Sequence, residues 1–101
     1  MPILSITTTA TDVFFGGSNL DSLSFKHGGT VGTVYLRNKQ HTQTEVTSTN
    51  YEWSLSAGAA IGLSRFVDGD GIIGPFRAIS SEAGGINLEI LPIYHAGSSG
   101  R

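Results

Sequence analysis

The sequence predicts an all-β chain: a small antiparallel β-sandwich, jelly-roll-like, with an extended N-terminal arm or strand. Two observations carry this. Residues 76–90, FRAISSEAGGINLEI, alternate with a period of two on either side of a turn, with Phe76, Ala78 and Ser80 on one face and then Ile86, Leu88 and Ile90. Roughly seven or eight short runs of this kind are separated by glycine-rich turns, the spacing expected of two sheets packed face to face. Glycine is abundant, 14 in 101 residues, about twice the usual share. The 39% hydrophobic content, arranged in alternating runs, still supplies a core that a disordered chain lacks.

The length fits one domain, 1–101, in which about two thirds of the unfolded surface is buried. Residues 1–12 are a candidate N-terminal arm. Within them 3–9 is β-branched and nearly uncharged, and an edge strand without lysine or glutamate has little to stop it pairing with another chain. The stretch either finishes its own sheet or packs on a neighbouring subunit. In the second case, removing 2–9 leaves a folded domain that cannot assemble.

Val13, Phe14 and Phe15 form an apolar run closed by Gly16-Gly17. They read as a strand end with core aromatics; an exposed Phe14 or Phe15 is instead an interface anchor. Leu23 and Phe25 share one face, followed by a turn at 26–29. Val34 and Leu36 then oppose Thr33, Tyr35 and Arg37. Residues 39–44, KQHTQT, have no apolar anchor and read as a solvated, flexible loop.

The stretch 45–55 is β-rich, with Tyr51, Trp53 and Leu55 on one side. An alternating strand restarts at Ile61 and Leu63 and runs through Phe66. Residues 66–74, FVDGDGIIG, read as a glycine-rich turn that leads by Pro75 into the organising segment, 76–90, expected to be a β-hairpin turning at Gly84-Gly85. Residues 91–94 add a last extended piece, and 96–101, AGSSGR, is a loose, flexible tail.

Several function classes are disfavoured. A net charge of −2 with six basic residues scattered singly argues against nucleic acid. The absence of cysteine removes disulfides, thiolate metal sites and cysteine nucleophiles. No basic leader or long apolar stretch follows Met1-Pro2, so neither a secretory signal nor a membrane span is expected.

His27, His41 and His95 lack metal-ligand spacing and lie beside glycines or polar residues, so surface positions are expected for all three. Asp68-Gly69-Asp70-Gly71 hints at a calcium loop, but Ile72 and Ile79 stand where the fifth and twelfth ligands belong. No nucleophile elbow, phosphate loop or serine–base pair is present, and eight scattered acids do not mark a glycosidase cleft. The expectation is a protein without cofactor or metal and without catalysis. Tyr51, Trp53 and Phe66 raise one alternative, aromatic stacking on sugar faces in a carbohydrate-binding β-sandwich module, with Tyr51 and Trp53 as the candidate sugar contacts; the other reading buries Trp53 with Leu55 and Ile61 in the core.

Three motifs in order, VYLRNK at 34–39, WSLSAGAAIGL at 53–63 and PFRAISSEAGG at 75–85 followed by INLEIL, resemble the small β-sandwich decoration (cement) or accessory virion proteins of tailed bacteriophages. The resemblance covers about the last two thirds of the chain. It implies a structural protein on the capsid surface of the virion that binds and stabilises the major capsid protein lattice, as a homotrimer, without nucleic acid or membrane. A head-fibre or tail accessory role is the neighbouring reading. Ile3, Leu4, Ile6, Phe14 and Phe15 are the candidate interface residues. The longer N-terminal segment, 2–21, and the insertion at 68–74 depart from the simplest members.

Overall fold

The computed structural model describes residues 3–38 and 44–94, apart from the side chain of Asp70. The expectations placed on 39–43, on His41 and His95, and on the tail 96–101 lie outside the described residues.

The described residues form eight strands: β1 (Ile3–Ile6), β2 (Thr11–Phe14), β3 (Leu20–His27), β4 (Thr33–Asn38), β5 (Trp53–Ser56), β6 (Ala60–Ser64), β7 (Phe76–Ser80) and β8 (Ile86–Tyr94). A one-turn helix, α1 (Arg65–Asp68), and a 3-10 turn (Gly69–Ile73) join β6 to β7. One sheet has the order β1-β8-β3-β6, the other β2-β7-β4-β5, and every pairing is antiparallel. The fold is therefore an all-β, two-sheet sandwich. Ile3–Ile6 pairs with β8 and finishes its own sheet, so no detached arm is seen among the described residues.

Every connection except that from β4 to β5 passes from one sheet to the other. This corrects the expected hairpin at 76–90. β7 pairs with β2 and β4, whereas β8 pairs with β1 and β3, and the turn between them arches across the core. A period of two says that one face of each strand is buried; it does not say which strand lies alongside. The alternation itself holds, with Phe76, Ala78, Ser80, Ile86, Leu88 and Ile90 all buried.

The core is filled from both inner faces. Phe25 of one sheet meets Phe76 of the other edge-on, ring centres 5.2 Å apart, and Trp53 lies 5.8 Å from Phe76. Leu23, Leu36, Leu55 and Leu88 complete the layer.

Among the described residues β8 runs further than β1, which leaves the last residues of β8 without a described strand on that side. Pro92 sits there without penalty. Gly28 N–H donates to the Asn87 carbonyl, and counting along the ladder makes Leu23–Pro92 a pair without hydrogen bonds. The missing N–H thus points to that side, past the final β1 pairing of Ile3 with Glu89.

Several local expectations change. Most of 45–52 is loop, tied by a single bridge between Thr47 and Asn50, and the strand begins only at Trp53. Phe66 does not end a strand but lies in α1, and the glycine-rich turn after it is helical. Ile72 from that turn is buried and plugs one end of the sandwich. Residues 91–94 are the end of β8, not a separate piece.

His27 is fully buried, contrary to the surface position expected from its neighbours. Its Nδ1 accepts the Gly29 N–H at 3.0 Å, which leaves Nε2 to donate to the Gly32 carbonyl at 3.1 Å. The imidazole is the internal strut of the turn at 28–32. Adjacent glycines do not mark a surface here; they let the backbone wrap around the ring.

Candidate functional site

The crossing pattern gives the sandwich two unlike ends. At one end lie the turns 7–10, 28–32, 57–59 and 81–85, all short. The other collects 15–19, 44–52 and 65–75, and β8 finishes there opposite Leu20. The second end holds the most exposed apolar side chains.

α1 is held firmly there. Ser64 Oγ accepts the Val67 N–H at 3.2 Å, and Asp68 Oδ2 accepts the Ser64 N–H at 2.8 Å, a reciprocal cap on a single helical turn. Arg65 Nη1 reaches across to the carbonyls of Ser18 at 2.5 Å and Leu20 at 3.1 Å. These contacts turn Phe66 outward, where it is 96% exposed, with Val67 at 78%. Beside α1 a pocket of about 90 Å³ opens between the sheets, lined chiefly by Trp53, Leu63, Ile72 and Phe76, with Asn38 and Asp68 as polar members. Asn38 is itself buried; its side-chain amide donates to the Gly71 carbonyl and its N–H donates to Glu52 Oε1 at 2.6 Å.

A second surface is the outer face of the β2-β7-β4-β5 sheet. Tyr35 and Tyr51 pack ring to ring there, centres 5.0 Å apart. Arg37 and Arg77 stand directly opposite one another on β4 and β7. Like charges in that position repel, and Arg77 is neutralised by a fork of acids, Glu45 Oε2 and Asp12 Oδ1 each at 2.7 Å. The hydrogen bond to Glu45, then that to Asp12, holds the Arg77 guanidinium still more firmly protonated than usual, against a smaller opposing effect of desolvation. Arg37 Nε is buried without a hydrogen-bond partner among the described residues.

The candidate interface residues are divided by the fold. Ile3 is 56% exposed on the edge strand and Phe15 is 72% exposed at the loop-bearing end. Leu4 and Phe14 are half-buried against the core, and Ile6 is fully buried, so it cannot be a contact residue in this structure. The sugar-contact pair also separates. Trp53 pairs with inward-facing Leu36 and packs on Phe76, whereas Tyr51, outside β5, reaches the outer face to stack on Tyr35.

Val67 and the partner ring Tyr35 are missing from the candidates read in the sequence, while Phe66, grouped there with Tyr51 and Trp53 as a sugar-stacking ring, stands exposed on α1. The signal for Phe66 was present in Ser64 and Asp68, which bracket a single capped turn. Among the described residues no three His, Cys, Asp or Glu side chains are grouped to hold a metal ion. Comparison with known proteins finds no matching family model, no matching curated protein and no matching solved structure.

Proposed function

We propose that the chain is a structural virion protein, a capsid decoration or cement protein that binds and stabilises the major capsid protein lattice at the capsid surface. The observation that carries the reading is the strand order. The order β1-β8-β3-β6 facing β2-β7-β4-β5 supports reading the sandwich as a jelly roll, the double Greek key used by viral capsid and lectin domains. The motif order at 34–39, 53–63 and 75–85 supports the same class. In this reading the protein is non-catalytic, works without a cofactor, nucleic acid or membrane, and acts as a homotrimer. The N-terminal stretch contributes through Ile3 on its edge strand instead of through a free arm.

Fold alone does not fix an activity, so the test is direct. Purified protein is mixed with phage capsids stripped of accessory proteins and sedimented. Saturable co-sedimentation, with capsids that then resist heat or dilution better, is the expected result. Protein left in the supernatant at all ratios overturns the reading.

The Tyr35–Tyr51 pair favours one second reading, a carbohydrate-binding module. Two rings fixed on an exposed sheet face form a stacking platform for a sugar. Binding on a glycan array that is lost in Tyr51→Ala, with the fold intact, would support it. Trp53→Ala would act on the core instead.

A further inference from the structure

We propose that the chain associates with further copies of itself through the loop-bearing end of the sandwich, Phe66 of one copy entering the Trp53-lined pocket of the next. The inference rests on the homotrimer proposed above and adds the contact that builds it.

Phe66 is exposed by construction. The cap from Ser64, the return bond from Asp68 and the Arg65 anchor fix α1 on three sides, and the ring still points to solvent. An aromatic held on a fixed turn loses little freedom on docking, which is the property of an interface anchor. Leu63 and Asp68, both lining the pocket, bracket Phe66 in the chain, yet the ring lies outside. Each copy therefore carries an unfilled apolar pocket and an unburied ring side by side.

The pocket is too small to swallow the ring whole. A closed apolar cavity of about 150 Å³ admits benzene; at about 90 Å³ with an open mouth, this pocket takes the leading edge of the Phe66 ring while the rest packs on its rim. The surrounding surface is apolar as well: Phe15, Val67, Ile93 and Tyr94 are exposed at the same end, which Arg65 ties together by bonding to Leu20, the residue opposite Tyr94. With about 150–250 Å² for a fully buried aromatic, these side chains and Phe66 offer on the order of 500 Å² of apolar surface. A standard interface takes about 800 Å² from each partner, a little over half of it non-polar. One such end thus supplies what one partner contributes to a stable complex.

Ring and pocket are different patches of one chain. They can be exchanged about a two-fold axis or passed head to tail around a closed ring, and both use the same contact.

The test is light scattering on a sizing column across a dilution series, for the wild type and for Phe66→Ser. The expected result is a wild-type mass of two or three chains that falls toward 10.6 kDa on dilution. Phe66→Ser should have the mass of one chain, an unchanged circular dichroism spectrum, and self-affinity weaker by about tenfold or more. Trp53 is the only tryptophan, so its emission reports the pocket. It should shift to the red as the wild type dissociates, and should already be shifted in Phe66→Ser.

A wild type that is monomeric at about 100 μM, a concentration well above the micromolar range of useful contacts, overturns the inference. So does a Phe66→Ser protein that keeps the wild-type mass, or emission that is the same in the wild-type assembly and the variant. Capsid co-sedimentation is scored separately. A monomer that binds capsids removes the self-contact and the homotrimer but leaves the capsid-binding role, while an assembly that ignores capsids does the reverse.

Discussion

The two ends of the sandwich are built from the same strands but differ in construction. At the short-turn end, loops from opposite sheets are bonded to each other. Ser80 Oγ donates to the Ile6 carbonyl at 2.6 Å and accepts the Glu82 N–H, Ser80 N–H donates to Thr7, and Thr33 exchanges bonds with Ser81. His27 fills the interior of the turn at 28–32. At the loop-bearing end the bonds run mainly within α1, along the 3-10 turn and to β3, and they leave a pocket and an exposed phenylalanine. Buried polar groups that all find partners fix one arrangement. Apolar groups left in water store binding energy instead. The first end holds the fold, and the second is free to bind.

The strongest test of that division is removal of residues 2–9. The sequence allowed this segment to be a dispensable arm. In the structure it supplies Ile6, fully buried, and the carbonyls of Ile6 and Thr7 that Ser80 uses. Loss of one buried isoleucine costs about 2–5 kcal/mol, and an edge strand and its ladder go with it. The truncation is expected to cost about 5 kcal/mol or more, near the whole stability of a small domain, and to appear as an unfolded circular dichroism spectrum. His27→Ala comes next. It leaves a cavity and strands both the Gly29 N–H and the Gly32 carbonyl, each costing about 1–3 kcal/mol when unpaired. A loss of about 3–4 kcal/mol in urea unfolding is expected.

Two glycines sharpen the comparison within the same end. Gly32 and Gly58 both have positive φ, +81° and +78°. A Cβ on Gly32 would meet Ser81 Oγ, Glu82 Cγ and Ile86 Cδ1 at 2.7–2.8 Å, whereas nothing lies within 4 Å of one on Gly58. Gly58→Ala should cost only the backbone strain, about 1–2 kcal/mol. Gly32→Ala should cost about 1–3 kcal/mol more from overpacking. Equal losses in paired denaturation curves would show that the turn at 28–32 is not the tight lock described here.

How far the sequence revealed this division follows from what periodicity measures. Alternation located β3, β4, β7 and the first part of β8 and assigned their inner faces, because burial of one face repeats every second residue. It misassigned strand neighbours at 76–90, since a glycine turn serves a hairpin and an arch equally. His27 was read from its glycines, and its two backbone partners became apparent only in the folded turn. Tyr51 and Trp53 share parity, but β5 begins at Trp53, so the parity says nothing about Tyr51. Phe66 was legible in principle through Ser64 and Asp68. Alternation through Ile61 and Leu63 does not place it, since Phe66 has the opposite parity and the strand ends at Ser64.

At the loop-bearing end the expected effects on stability are smaller. Ser64→Ala removes the cap on Val67 N–H and should cost about 1 kcal/mol, while loosening the turn that presents Phe66. Its self-association should therefore weaken more than its melting temperature falls.

Phe66→Ser should change stability by no more than about 0.5 kcal/mol, because the ring touches almost nothing in its own chain. Combining Phe66→Ser with His27→Ala provides the sharpest test of whether the two ends are separate. Sites without shared partners add to within about 0.3–0.5 kcal/mol, so the double variant measured as a monomer should have the stability of His27→Ala alone. A discrepancy above about 1 kcal/mol would mean that the strands transmit strain from one end to the other. The binding end would then be part of the lock that His27 forms, and its exposed aromatic would be held in place from the far side of the core.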